Sequence, residues 1–419
     1  MTASVPPSVP QALAPNERRV QIDILRGIAV FGLIWSNLNA GFKAPATTAD
    51  EVARWVLGVF GAGKWYTLFA LLFGVTLAMQ LSRADARGEP FAGRWVRRMF
   101  VLYAIGWVHA ILFWPGDILR AYAVAGLVLL LFRRASARLA LFAAVVALSL
   151  GASRQSLSVL ATRVTGGDVA AVEQRERPTP AQEERRRAFG AAMAKGTYAE
   201  LLEARLATFP REEVRRASPP AGPLNLIPLG YLGAFLIGLA LGRRRVPQDP
   251  DGSRRLILGL MVLGAVIGLP LSTYLAGRPA WLQNSPVYWP LRSVAILSLG
   301  LGYMGGLLWL LRRGDWLARL RWFAPVGRLA LTNYIAQTAF LTTIKYHYGL
   351  GLEPQLNSFA CGLIALGFYV VQIGYSNWWV RRWRFGPVEW LWRSLTYGAA
   401  QPMRVVADPV AHNVSRAAA

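Results

Sequence analysis

Three side-chain types that could together support acid–base chemistry stand inside otherwise apolar runs of this chain: an imidazole at His109, a carboxylate at Asp117 and a hydrogen-bonding amide at Asn37. A proton acceptor, a carboxylate and an amide donor are the ingredients of general-base catalysis with oxyanion stabilisation. Asp23, Arg26, Asn39, Lys64, Arg328, Asn333 and Gln337 complete the polar residues of the apolar runs. A charged group in lipid costs roughly 2.5–3.5 kcal/mol on insertion scales, so each marks a candidate site. The spacing predicts two depths. His109 lies five residues before Trp114, about 7 Å below the end of its helix. Pro115 and Gly116 then make a turn, and Asp117 opens the next helix as an N-cap. Asn37, near the end of the first run, and Lys64, at the start of the second, share that depth; Asp23 and Arg26 face each other at the opposite end. Each also has a plainer role: His109 as an interhelical hydrogen bonder, Asp117 as a cap, Lys64 as a snorkelling cation, and Asp23–Arg26 as an anchor.

The elements that must position these residues are membrane helices. With 54% apolar and only 16% charged residues, the chain departs from soluble composition toward lipid as solvent. Apolar runs near spanning length occur at 24–42, 65–81, 99–114, 117–132, 137–153, 224–242, 256–277, 291–311, 323–344 and 357–380. The expected fold is therefore all-α integral membrane, with about ten transmembrane helices. The net charge of +24 sits in arginine clusters between those runs, which sets topology and meets anionic lipid rather than nucleic acid. Loops after even-numbered helices are rich in arginine and the alternate loops poor, which predicts that both termini are cytoplasmic. Parity puts the long polar loop 154–222 outside, with surface helices over 181–209 broken near Gly196.

The division expected is a disordered tail at 1–17, five helices with the site at 18–153, and the external loop at 154–222. The last five helices follow at 223–382, then an interfacial cytoplasmic segment at 383–404 and a disordered tail at 405–419. The single cysteine, Cys361, precludes an intramolecular disulfide or a cysteine-based metal site, and no metal is expected.

The segments RRVQIDILRGIAVFGLIWSN, KWYTLFALLFG, HAILFWPGDILRAYA, PVGRLALTNYIAQ and RFGPVEWLWRSLTYGAAQPMR, spread from Arg18 to Arg404, resemble the YeiB family of bacterial membrane proteins. That family is similar to the transmembrane acyltransferases that include heparan-alpha-glucosaminide N-acetyltransferase, which carry an acyl group from cytoplasmic acyl-CoA to an acceptor across the membrane. The superfamily's first helix has Arg-Gly with a polar catalytic residue eleven positions on, and Asn37 stands at that distance from Arg26. The glucosaminide enzyme's histidine shortly after that Asn has no counterpart in residues 38–60, which leaves His109 in its place.

The resemblance implies a bacterial inner-membrane acyltransferase with acyl-CoA (acetyl-CoA) as donor and membrane lipids around it. The acceptor would be a hydroxyl or amine on a glycan, lipid or small molecule. His109 is then the general base, Asp117 its orienting carboxylate, and Asn37 with Lys64 the oxyanion donors. Arg26 and Arg328 would bind the CoA phosphates, and Asn333 joins them in substrate or donor binding. An acyl-His intermediate and a homodimer are both compatible with the sequence. A transporter or lipid flippase without covalent chemistry is the alternative, and a scaffold or sensor that has lost catalysis a third; no self-similarity between 1–150 and 224–400 supports transport.

Overall fold

The computed structural model describes residues 20–39, 47–164, 179–217, 228–277, 282, 285 and 287–404. The predicted tails at 1–17 and 405–419 lie outside these. In chain order the helices are α1 (Val20–Leu38), α2 (Thr48–Val56), α3 (Lys64–Ala86), α4 (Ala92–Leu112), α5 (Leu119–Leu129) and α6 (Ala137–Val164). Then come α7 (Pro180–Lys195), α8 (Tyr198–Ala217), α9 (Leu229–Arg243), α10 (Arg254–Leu263), α11 (Leu269–Ala276) and α12 (Tyr288–Leu311). The last five are α13 (Gly314–Leu320), α14 (Ala324–Arg328), α15 (Ala330–Lys345), α16 (Ser358–Val380) and α17 (Pro387–Tyr397). Among the described residues there is no β-strand, only an isolated bridge between Trp383 and Arg404.

Among the described residues every apolar run forms helix, because a backbone in lipid must satisfy its own polar groups. Among the described residues five helical stretches are long and apolar enough to cross a membrane: Thr48–Ala86, Ala92–Leu112, Arg254–Ala276, Tyr288–Leu311 and Ser358–Val380. Leu119–Phe132, Ala137–Ser153 and Leu229–Arg243 are apolar but shorter. The chain is thus an all-helical membrane protein. Its outer surface carries Phe142, Val145, Val266, Leu363, Val370 and Val371, all more than half exposed, as a lipid-facing surface requires. The run expected over 323–344 is two helices, α14 and α15, which break at Leu329.

Small residues let the helices approach closely where lipid supplies no hydrophobic drive between them. A Cβ on Gly74 of α3 would overlap the Phe235 carbonyl, and one on Gly238 of α9 would overlap that of Leu71. Gly27 and Gly327 do the same for α1 and α14, seating Arg328 beside the Asp23 turn. Helices α1 and α3 run antiparallel: Arg26 meets Thr76 near one end, and Asn37 meets Tyr66 near the other. These are called below the Asp23 end and the His109 end.

Past the end of α6 the described residues of the long loop form α7 and α8, which break at Gly196, as its glycine predicts; Thr179 and Gln182 form a reciprocal cap at the start of α7. Arg205 of α8 docks on the end of α4, donating through Nη1 to the Ile111 and Leu112 carbonyls at 3.1 and 2.7 Å and through Nη2 to Phe113 at 2.6 Å. It caps three carbonyls that no helical amide reaches. Tyr198 donates to the Leu112 carbonyl as well. At the Asp23 end, α17 is an 11-residue helix, too short to cross a bilayer, held by Trp392 donating to the Arg98 carbonyl and Trp390 to that of Gln401.

Candidate functional site

His109 occupies the last turn of α4 and is 1% exposed. Its Nδ1 lies 2.9 Å from Asp117 Oδ1. A carboxylate has no proton to donate, so Nδ1 carries a hydrogen, and in the neutral ring Nε2 carries the lone pair. Nε2 is buried with no hydrogen-bond partner among the described residues. An orphaned buried acceptor is expensive in a purely structural histidine and useful in a base. Phe113 stacks along one side of the ring, and Tyr334 packs at 5.0 Å between centroids.

Asp117 is fixed by the turn that follows α4. The N-cap residue of α5 is Ile118, one position later than expected, yet Asp117 supplies the capping bond: Oδ2 accepts from Arg120 N at 2.9 Å. Arg120 Nε stands 3.5 Å from the same oxygen. The approach depends on Gly106, one turn before His109, where a Cβ would come 2.8 Å from Asp117 Oδ2.

Asn37 joins this end through tyrosines. Its Oδ1 accepts from the Tyr66 hydroxyl, and the Tyr122 hydroxyl donates to the Tyr66 carbonyl at 3.0 Å. Tyr122 packs edge-on against Tyr231 at 5.1 Å, and the Tyr334 hydroxyl accepts from Ile118 N at 3.4 Å. Sequence reasoning missed all four tyrosines, because tyrosine in a membrane helix reads as an interfacial anchor. Tyr66, Tyr122 and Tyr334 do fall inside the segments KWYTLFALLFG, HAILFWPGDILRAYA and PVGRLALTNYIAQ, which was the one signal available.

Lys64 turns elsewhere. Nζ donates to the Gly58 carbonyl at 2.6 Å, on the side of α3 that packs on α12. Asn333 is also engaged: its Nδ2 donates to Val326 O and Ser376 Oγ, while its Oδ1 accepts from Gln372 and Tyr375. Gln337 donates to Val30 O and Gln372 Oε1 in the same network. These bonds knit α1, α15 and α16 together and leave Asn333 no donor for a ligand.

At the Asp23 end, Arg26 pairs with Asp23 at 2.9 Å and donates to Thr76. Both line a cavity of about 220 Å³ together with Arg83, Arg98, Arg328 and Arg393. The same cavity runs between the helices to Ile118, Leu119, Tyr122 and Tyr334, directly beneath the turn that carries Asp117. Glu389, on α17, also lines it but is turned onto the first turn of α15: Oε1 accepts from Leu331 N at 2.6 Å and Thr332 N at 3.0 Å, and Oε2 from Thr332 Oγ1. Burial pushes its carboxyl above the usual range, and the bonds from Thr332 and Leu331 only partly offset this.

Residues 18–165 match the family model described as heparan-alpha-glucosaminide N-acetyltransferase, catalytic, and residues 241–399 match the protein of unknown function DUF418. The chain is 31% identical to the uncharacterized protein YxaH of Bacillus subtilis, over 94% of this chain and 98% of that one. It is also 31% identical to the uncharacterized protein YeiB of Escherichia coli, over 92% of this chain and 98% of the relative. No solved structure matches it.

Proposed function

The chain belongs to the YeiB family, and on that premise we propose that it is a membrane acyltransferase working from an acyl-CoA donor. The observation that carries the reading is a continuous cavity leading from a cluster of arginines to the wall on which His109 packs. Arg26 and Asn37 are eleven residues apart on α1, as are Arg98 and His109 on α4. At 1.5 Å per residue both separations are about 16 Å, on the order of an extended pantetheine arm. Phosphates held by Arg26 and Arg328 would therefore bring the thioester to the His109 end.

There Nε2 of His109 takes the proton of an acceptor hydroxyl or amine, and the acceptor atom attacks the thioester carbonyl. Asp117 holds the imidazole in the tautomer that leaves Nε2 free and stabilises the imidazolium. Asn37 accepts from Tyr66 through Oδ1, so its amide hydrogens remain to meet the oxyanion. Collapse breaks the C–S bond, and the thiolate leaves as free CoA with the proton that His109 had taken.

In this reading the donor mouth and both termini are cytoplasmic and α7 and α8 lie over the outer face, which the alternation of arginine-rich and arginine-poor loops supports. Thermal denaturation of purified protein with acetyl-CoA and with free CoA tests the reading. At a hundred times Kd a ligand adds about 2.7 kcal/mol to the folded state. Absence of any shift with either compound, together with unaltered substrate handling by His109→Ala, would return the protein to the class of transporters.

A further inference from the structure

Five guanidinium groups line the cavity against two carboxyl groups, Asp23 and Glu389. Asp23 is engaged by Arg26, and Glu389 faces the amides of α15. Guanidinium groups crowded into a partly dehydrated cleft repel one another, and an anion entering it relieves that repulsion. Neither Arg98 nor Arg393 makes an ion pair with a carboxylate among the described residues, although Glu389 and Asp23 act on Arg393 from nearby. Arg98, on α4, lies 3.9 Å over the Trp392 ring, with its Nε buried and unbonded. Arg393, on α17, stacks 4.9 Å from the Phe385 ring. Burial pushes the Arg393 guanidinium below its usual range; Tyr397, Glu389 and Asp23 oppose this, and the like charge of Arg26 adds to it. Both side chains are held by aromatic faces that leave the guanidinium edges for a ligand.

We propose that Arg98 and Arg393 form a phosphate clamp, closed by the C-terminal helix, that adds to Arg26 and Arg328 in the same cavity and takes a phosphate or diphosphate group of the donor. The clamp spans the two matched segments. Arg98 lies in the half similar to the acetyltransferase catalytic domain, and Arg393 in the DUF418 half. The C-terminal helix is then part of the binding site, because α17 brings Arg393 and Trp392 to α4 while Glu389 fixes that helix to α15. The identity of the ligand rests on the acyltransferase reading; its charge does not.

The test is binding, without any transfer step. Full-length protein in phosphatidylcholine nanodiscs is titrated calorimetrically with free CoA, dephospho-CoA, pantetheine and inorganic pyrophosphate. Wild type is compared with Arg393→Ala, Arg393→Lys, Arg98→Ala and, as a surface control, Arg319→Ala. Loss of a charge-assisted contact weakens binding about tenfold or more, so Arg393→Ala and Arg98→Ala should each lose at least that for CoA. Pantetheine should bind weakly to every variant, and Arg319→Ala should match wild type. Arg393→Lys keeps the charge without the bidentate edge and should fall between; it decides the matter if the alanine variant does not melt cooperatively. CoA binding that is unchanged in the Arg98 and Arg393 variants overturns the clamp and leaves the acyltransferase standing. Arg393-dependent binding of pyrophosphate, or of phosphatidylglycerol added to the nanodiscs, with no response to CoA keeps the clamp and removes the acyltransferase. Failure of every phosphate probe removes the clamp.

Discussion

Gly106→Ala sets two known effects against each other in one substitution. Alanine is favoured over glycine inside a helix by about 1 kcal/mol, so on propensity alone the variant should be more stable. The added methyl, however, would sit 2.8 Å from Asp117 Oδ2 and from Arg120 N, and 2.7 Å from Arg120 Cγ. Ordinary contact starts at 3.4 Å, so Asp117 must retreat by about 0.6 Å. That retreat stretches the 2.9 Å bond to His109 Nδ1 toward 3.5 Å, where little of it survives. A hydrogen bond to a charged group contributes about 1.5–3 kcal/mol, so the net loss should be about 0.5–2 kcal/mol. The chain has three histidines, His109, His347 and His412, so selective ¹⁵N-imidazole labelling gives three pairs of NMR signals, assigned with His109→Ala. Gly106→Ala should shift the His109 pair toward a mixture of tautomers and lower the melting temperature. A variant that melts higher, with its His109 signals unmoved, refutes the claim that this glycine admits Asp117 to the imidazole.

Asp117→Asn should keep the bond to Arg120 N, and so the fold, while losing acyl transfer as completely as His109→Ala; full activity in both would end the general-base mechanism. Glu389→Gln carries a pH signature. Because the folded carboxyl is raised, the native state holds a proton that the unfolded chain gives up, so this contribution is complete below the ordinary value of 4.5 and is lost as pH rises through the folded value. The melting temperature of Glu389→Gln relative to wild type should therefore rise with pH above about 4.5, and a flat difference between pH 4 and 8 would contradict it. Arg205→Ala should raise hydrogen exchange across Phe113 and Trp114 at the end of α4, and Arg205→Lys should recover only part of the protection, since one ammonium cannot reach three carbonyls in the fork geometry. A cysteine placed at Ala192 should label from outside intact cells and one at Gly252 should not, Cys361 being buried; the opposite pattern inverts the topology.

The helices were legible because polar residues interrupt long apolar runs so sparingly, and the same contrast exposed His109, Asp117, Asn37, Arg26 and Arg328. What the sequence does not carry is the rotation of each helix. Lys64 and Tyr66 sit at the same depth but about 200° apart around α3, and it is Tyr66 that reaches Asn37 while Lys64 turns to Gly58. Asn333 reads as a free amide in a row of letters; its partners Ser376, Gln372 and Tyr375 lie some forty residues away on α16. Arg98 and Arg393 were hidden by their company, because arginines flanking a span read as topology signals. Only the return of α17 across α4 turns them toward a shared space.

That return also orders events in time. Glu389 caps a helix that begins fifty-nine residues earlier at Ala330, and Arg393 closes a cavity whose other walls begin at Ile22. Synthesis runs from the amino end, so every apolar helix leaves the ribosome before α17 does. Until then α15 starts with unpaired amides, and the arginine end of the cavity lacks one wall. A chain that ended before Pro387 would keep its apolar helices and yet lack one wall of the arginine-lined cavity. Completion of the last helix, rather than entry into the bilayer, is the step that makes the site whole.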